Sequence, residues 1–464
     1  MKSLFTLLVL LLAAVVRAVS STGSRLLVIL DDVTDKADYS TFFGDLSKRG
    51  FDITYETPKS ESLSLFHLGE RTYDHIIVLP TKVKALGPNL TPNILVDFMN
   101  AEGNILVALS SETTVSTSVI ALLSELDISL PVDRTGLVVD HFNYDAASAS
   151  EKHDVILLSP PTPLRPGQQA YFTPAKPVPE LLAFPRGVGH TLGQGPLLNP
   201  ILRAPSTAYS YNPKEQADGV DPQELFAVGA QLGLVSTMQS RNSARFTIIG
   251  AAEMLTDKWF DAKVKQPGGK AVGTWNREFA KRVSGWTFKE IGVLRVNSIE
   301  HRLNEAGVAT EVNPSIYRIK NDVTYTISVS EYSWDKWTAY LVPDGDELQL
   351  EFSMLSPFHR LNLSRAKITG QACTYSVAFR LPDQHGIYNF MVNYKRPFLT
   401  NIEEKNTVSV RHMAHDEWDR SFVISAAWPW ISGIGATVVG FVAFSAIFMY
   451  SKPTDRVGES KKKQ

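Results

Sequence analysis

The chain has 464 residues, 46 Lys+Arg against 48 Asp+Glu, a formal net charge of -2 and one cysteine. At roughly 150 residues per domain the length predicts about three structural units, and 44% hydrophobic against 20% charged residues excludes an intrinsically disordered chain. Balanced charge gives no electrostatic footprint for a phosphate backbone, and a lone cysteine, Cys373, excludes an intrachain disulfide framework and a thiolate zinc cluster.

The first predicted element is a leader. Lys2 precedes the apolar run Leu4 to Val16, and Val16-Arg17-Ala18 places a small residue where signal peptidase requires one, so residues 1–18 read as a signal peptide. The run is shorter than the roughly 20 residues an uncleaved anchor needs. From Arg25 the pattern reads as strand (Leu26 to Leu30), helix (Tyr39 to Lys48), strand (Asp52 to Glu56) and strand (His75 to Leu79). A helix follows with Thr91 as N-cap and Pro92 in its first position, then the strand Ile105 to Leu109 and a helix over Ser118 to Leu126. Apolar strands alternating with helices predict a doubly wound, mainly parallel sheet spanning 24–292. Within it, 160–213 holds 12 of the 26 prolines and is expected to be an irregular, extended insertion packed on the sheet. The strands Leu232 to Met238 and Phe246 to Ala251 and a helix over Trp275 to Phe288 complete this domain.

Beyond it the period drops to two residues. Leu348, Leu350, Phe352 and Met354, then Tyr375, Val377, Phe379 and Leu381, then Tyr388, Phe390, Val392 and Tyr394 each predict a strand with one buried face. Turn chemistry at Pro343-Asp344-Gly345-Asp346 and Asp383-Gln384-His385-Gly386 separates such runs, so an antiparallel β-sandwich is expected over 295–415. No charged residue lies between Arg420 and Lys452, and Trp428 to Tyr450 would rise about 34 Å as a helix, enough to cross a bilayer. Aromatic rings mark both ends of this span, 428–450. The tail 451–464 carries five basic residues against Asp455 and Glu459, so it is expected in the cytosol with the bulk of the chain lumenal. The expected fold class is thus α/β plus all-β, followed by one transmembrane helix.

Candidate chemistry is sparse. Asp31, Asp32 and Asp35 follow the first strand, where open parallel sheets bind ligands, but Val33 stands where a phosphoryl-transfer motif needs its second Asp. Ser110 and Ser111 follow a later strand, yet Leu109-Ser110-Ser111-Glu112-Thr113 lacks the glycines of a nucleophile elbow. Asp344-Gly345-Asp346 matches a bare metal-holding Asp-x-Asp but is first a turn signal. His412 and His415 are spaced for one metal, although isolated imidazoles are usually solvated. His141, in Asp140-His141-Phe142-Asn143-Tyr144-Asp145, reads as a hydrogen-bonded structural residue, and Cys373 as a small buried hydrophobe. The expectation is therefore no catalytic residue, no metal site and no cofactor bound by this chain.

Three further features concern placement. Asn89-Leu90-Thr91 and Asn362-Leu363-Ser364 are glycosylation sequons, and Pro92 directly after the first makes Asn362 the better acceptor. Ser432, Ala436 and Gly440 recur every four residues and predict a packing face within the span. Lys461 and Lys462 stand four and three residues from the end, the spacing of a dilysine retrieval signal for the endoplasmic reticulum.

Several segments together resemble the forty-eight-kilodalton subunit family of oligosaccharyltransferase. They are Leu27 to Asp32 with Ser40 to Phe51, Asp140 to Asp145, Gln239 to Arg245, Phe288 to Val296, and Asp344 to Phe352. The resemblance runs from the first strand to the membrane and departs mainly in the proline-rich insertion. It implies a non-catalytic subunit of the complex that transfers a preassembled oligosaccharide from dolichyl diphosphate to Asn in Asn-x-Ser/Thr sequons. Catalysis would belong to an STT3-type subunit with its divalent metal, and this chain would pack against ribophorin-II-type and DAD-type partners. A lumenal hydrolase acting through Ser110, Ser111, Asp31 or Asp32 and a cargo or glycan receptor are the competing readings.

Overall fold

The computed structural model describes residues 20–133, 136–162, 171–212, 225–304, 311–418 and 427–450. They belong to two compact units, one ending at Val410 and one beginning at Arg411. The expected leader and the lysines Lys461 and Lys462 lie outside the described residues.

The larger unit opens with a seven-stranded sheet made of β1 (Arg25–Ile29), β2 (Asp52–Glu56), β3 (His75–Val78), β4 (Asn104–Ala108), β5 (Leu198–Arg203), β6 (Gly233–Gln239) and β7 (Arg245–Ile249). Their spatial order is β5-β6-β7-β4-β3-β1-β2. The strands from β2 to β7 in that order are parallel, while β6 and β5 add an antiparallel edge. Helices α1 (Ser40–Lys48) and α4 (Asn276–Thr287) cover one face of the sheet, against Leu26, Val28 and Leu106. Helices α2 (Pro92–Asn100) and α3 (Thr117–Glu125) cover the other, against Leu27, Ile29, Ile105 and Val107. Burial on both faces is why β1 and β4 read as unbroken apolar runs instead of alternating. The doubly wound, mainly parallel sheet is therefore present, and α2 begins as expected, with the Thr91 hydroxyl accepting from the Ile94 amide and Pro92 in its first turn.

The proline-rich stretch differs from expectation. It is not irregular throughout: it supplies β5, the antiparallel edge of the main sheet, and a second ladder in which Leu182–Pro185 pairs with Val155–Leu158. An edge strand hydrogen-bonds to one neighbour only, and the register shifts beside Pro200, so a residue lacking its N–H is accommodated there.

The chain then enters two antiparallel layers built from β8 (Ile291–Leu303), β9 (Ile316–Arg318), β10 (Asp322–Ser333), β11 (Lys336–Ala339), β12 (Gln349–Ser353), β13 (Pro357–Asn362), β14 (Ser364–Thr369), β15 (Ala372–Arg380), β16 (Gly386–Tyr394) and β17 (Ile402–Arg411). One sheet runs β8-β10-β15-β14, with β11 on β10, and the other β9-β17-β16-β12-β13. Rings from the two inner faces meet: Tyr325 of the first stacks on Phe390 of the second at 5.5 Å, and Phe379 meets Phe352 edge-on at 5.5 Å. Two-residue alternation thus reports a face-to-face sandwich core. In the smaller unit α5 (Trp428–Tyr450) is a helix long and apolar enough to cross a membrane.

His75 ties the sheet to its flanks and sets a pH dependence. Its ring is fully buried between Phe51 and Phe288, with Nδ1 bonded to Asn104 and Nε2 to Ser20 and the Gly23 carbonyl. Burial lowers its pKa to about 4, so the ring is neutral in the fold. Because the folded value lies below that of the unfolded chain, this group's stabilisation is complete above about pH 6.5 and is lost as pH falls toward 4, roughly 3 kcal/mol in all. Denaturant unfolding of the detergent-solubilised chain at pH 7 and pH 4.5 should show that loss, and His75→Gln, which cannot titrate, should shrink it. Equal pH slopes in the two proteins would remove His75 from the account.

Candidate functional site

Two regions compete for a functional role: the carboxyl ends of the parallel strands, and the junction between the α/β layers and the sandwich. At the strand ends the candidate groups are held by local structure. Asp31 Oδ1 accepts from the Lys82 amide at 2.9 Å. Asp32 caps the short 3-10 helix Val33–Tyr39, accepting from Thr34, while Asp35 reaches back to the Asp32 amide. That bond to the Thr34 amide holds the Asp32 carboxyl below its usual range. Ser110 Oγ accepts from the Glu112 amide at 3.3 Å and Ser111 Oγ donates to the Arg186 carbonyl at 2.7 Å, so both hydroxyls are bonded to main chain. The cavity beside Ser110 is about 20 Å³, room for little more than a water.

The remaining sequence candidates are likewise engaged or dispersed. Asp346 sits between Arg396, which grips both carboxylate oxygens, and the Tyr394 hydroxyl at 2.7 Å. Burial pushes its carboxyl up, but Arg396 and Tyr394 outweigh that and leave it below the usual range. Gly345 supplies the positive φ of +86° that the turn before it requires. His141 bonds His153 and, at 2.9 Å, the Tyr209 hydroxyl, as a structural residue would. Cys373 is fully buried in β15. His412 and His415 are exposed in the smaller unit. Among the described residues no group of three or more His, Cys, Asp or Glu could hold a metal ion.

The junction is where buried chemistry concentrates. Arg245 opens β7 with its side chain wholly buried. Nη1 donates to the carbonyls of Trp286 (2.5 Å) and Ile291 (2.7 Å), Nη2 to Gly292 (2.6 Å) and Phe398 (3.5 Å), and Nε to Gln239 Oε1 (3.3 Å). Its Cζ lies 4.6 Å from the centre of the Trp286 ring. Gln239 extends the network by donating to the Leu399 carbonyl, and Trp286 Nε1 donates to Phe398 at 2.8 Å. One guanidinium thus gathers the end of α4, the start of β8 and the loop after β16. Burial lowers its pKa to about 9, with Tyr171 and Glu331 pulling the other way, so it remains a cation at neutral pH. Tyr171 donates to Glu331 at 2.6 Å, and burial raises the Glu331 carboxyl against the pull of Tyr171 and Arg245. Gly292 stands at φ +68° where a Cβ would lie 2.6 Å from the Phe398 carbonyl, so the close approach needs glycine.

A second buried pair lies nearby. Arg49 at the end of α1 meets Glu290 at 2.5 Å and donates to Ser284 Oγ at 2.8 Å. Burial raises the Glu290 carboxyl to about 7 against the attraction of Arg49. Sequence reading named the segments holding Arg245, Gln239 and Glu290 without seeing their role. The available signal was a charged residue opening an otherwise apolar strand, Arg245-Phe246-Thr247-Ile248-Ile249.

The sequon asparagines differ in setting. Asn362 is exposed at the end of β13. Asn89 is half-buried in the turn Pro88–Leu90, and the Thr91 hydroxyl of its sequon is the cap of α2. On α5, Ser432, Ala436 and Gly440 lie along one exposed row, which the stacked rings of Phe444 and Phe448 continue at the same four-residue spacing.

A doubly wound sheet fused to a β-sandwich, with one apolar helix beyond, defines the class. The N-terminal domain of the OST48 family matches residues 17–290 and its middle domain matches 301–452. The chain is 33% identical to the dolichyl-diphosphooligosaccharide–protein glycosyltransferase 48 kDa subunit of Danio rerio, over 97% of each chain. It is 33% identical to the subunit wbp1 of the same enzyme in Schizosaccharomyces pombe, over 93% of each. The Caenorhabditis elegans 48 kDa subunit is 32% identical over 98% of each. The chain belongs to the OST48 family.

Arg245→Met would strand the Trp286, Ile291 and Gly292 carbonyls in an apolar junction. It should cost about 3–5 kcal/mol in denaturant unfolding, with Arg245→Lys restoring only part because an ammonium lacks the planar fork. A loss under about 1 kcal/mol for the Met variant would refute the junction's structural weight.

Proposed function

We propose that this chain is a non-catalytic, structural subunit of the endoplasmic reticulum oligosaccharyltransferase complex. That complex transfers a preassembled oligosaccharide from dolichyl diphosphate to Asn of Asn-x-Ser/Thr sequons during protein N-glycosylation. The observation that carries this reading is the convergence of two of the resemblance segments, Gln239 to Arg245 and Phe288 to Val296, on the Arg245 junction. Conserving rigidity between two lumenal layers is the task of a scaffold, and the strand-end carboxylates and hydroxyls are engaged in caps and main-chain bonds. The relatives of matching length are named as subunits of a glycosyltransferase, which supports membership in that assembly.

In this reading the enzyme's chemistry and its divalent metal reside in an STT3-type subunit, and this chain binds no cofactor of its own. Residues 1–18 are removed, the glutaminase-like α/β domain (24–292, with its insertion 160–213) and the sandwich (295–415) lie in the lumen, 428–450 spans once as a type I segment, and 451–464 faces the cytosol with Lys461 and Lys462 as the retrieval signal. The strand order, with its reversal between β1 and β3, supports the glutaminase-like description. The row Ser432, Ala436 and Gly440 allows close approach of a neighbouring helix, for which ribophorin-II-type and DAD-type subunits are the proposed partners.

Purification of the tagged full chain from membranes in mild detergent should recover an STT3-type subunit and these partners at fixed stoichiometry. Replacing Ala436 and Gly440 together with Leu should lower that recovery several-fold, as loss of about 1 kcal/mol of helix packing would. Stable recovery of the wild-type chain free of any glycosyltransferase subunit would overturn the assignment.

A further inference from the structure

The sandwich treats its two sides differently. On one side β9 is only three residues long, and β8, thirteen residues long and paired only with β10, has its first four residues buried at the Arg245 junction. On the other side β13 and β14, six residues each, are the last strands of the two sheets, paired only with β12 and β15. An edge of that length presents unpaired N–H and C=O groups to any passing strand. All six residues of β14 are exposed, Ile368 at 55% among them. The edge already carries partial deterrents: Arg360, Arg365 and Lys367, and a break in register between Arg365 and Lys367.

Asn362-Leu363-Ser364 occupies the corner between these two rims. Asn362 ends β13, Ser364 starts β14, and Leu363, the one residue between them, is buried as the chain switches sheets. The flanking residues of the sequon are therefore exposed while its middle residue anchors the corner. Asn362 Oδ1 accepts from Gln349 Nε2 at 2.9 Å, which leaves the amide nitrogen, the atom a sugar joins, outside that pair.

We propose that Asn362 carries an N-linked oligosaccharide that screens the paired open edges β13 and β14 from strand addition by other chains. The proposal rests on the lumenal placement above. A lipid-linked oligosaccharide is the donor: the bond between its anomeric carbon and the diphosphate oxygen breaks, a bond from that carbon to Asn362 Nδ2 forms, the amide loses one proton to base, and the lipid diphosphate leaves with the bonding electrons. A branched, strongly hydrated chain rooted at the corner sweeps over both rims at once, which neither the basic residues nor the bulge alone achieves.

The test uses the full chain, expressed in a eukaryotic secretory host and purified in mild detergent. Digestion with an N-glycan-cleaving amidase should increase the gel mobility of wild type and Ser364→Thr, which keeps the sequon. It should leave Asn362→Gln and Ser364→Ala unchanged. Light scattering on warming should show the two sugar-free variants aggregating several-fold faster than wild type with unaltered unfolding midpoints. Adding Ile368→Lys to Asn362→Gln should restore wild-type dispersion by charging the bare rim. Absence of any digestion shift in wild type, in protein recovered with its membrane partners, would remove the modification. A shift at Asn362 together with equal aggregation of all variants would remove the screening role. A wild-type chain with its bulk on the cytosolic side, shown by protease access in sealed microsomes, would instead defeat the topology on which both rest.

Discussion

A single buried cation ties the doubly wound sheet to the start of the sandwich. Carbonyl dipoles from Trp286, Ile291 and Gly292 solvate Arg245 in place of water, the Trp286 ring covers one face, and the Glu331 carboxylate attracts it. Such an arrangement is stable only if every carbonyl stays aimed at the guanidinium, because an unsatisfied buried charge is far more costly than a weak contact. The constraint propagates. Gly292 must be glycine for the Phe398 carbonyl to approach, β8 must start with a bulge beside it, and the Arg245 amide is bonded to Asn104, which is bonded in turn to His75. A line of polar contacts thus links Ser20, near the start of the described chain, to the first strand of the sandwich.

That construction is consistent with the scaffold role proposed above. Relative motion of domains is the default where an interface is modest and polar. Here the sheet, α4, β8 and the loop after β16 share one guanidinium, which ties the sheet to the sandwich. The strand-end carboxylates and serines of this chain cap a turn, brace a loop or bond main chain, and Asp346 is neutralised by Arg396.

How much was legible beforehand varies with how local the signal is. The strands β1 to β4 and helices α1 to α4 were readable because their apolar runs and caps act over a few residues, as with Thr91-Pro92 at α2. The alternation of Tyr388, Phe390 and Val392 likewise announced a one-faced strand. The proline-rich stretch misled, because proline is unfavourable in a sheet interior, yet β5 is an edge, and whether a strand is an edge is a property of the whole sheet. The strand β10, whose Val323, Tyr325, Ile327 and Val329 alternate as clearly as any, went unread beside the more aromatic runs. Arg245 and Glu290 were visible as letters within conspicuous segments, but apart from Gln239 their side-chain partners lie 41 to 241 positions away.

The amino-acid sequence alone determined the order of the layers, the apolar span and the family resemblance, since periodicity, hydropathy and motif spacing are written in neighbouring residues. Tertiary structure alone decided which charges are buried together, which strands are edges, and that the two sequons differ in exposure. Those properties depend on distant segments excluding water from one another, and no short stretch of chain contains that information.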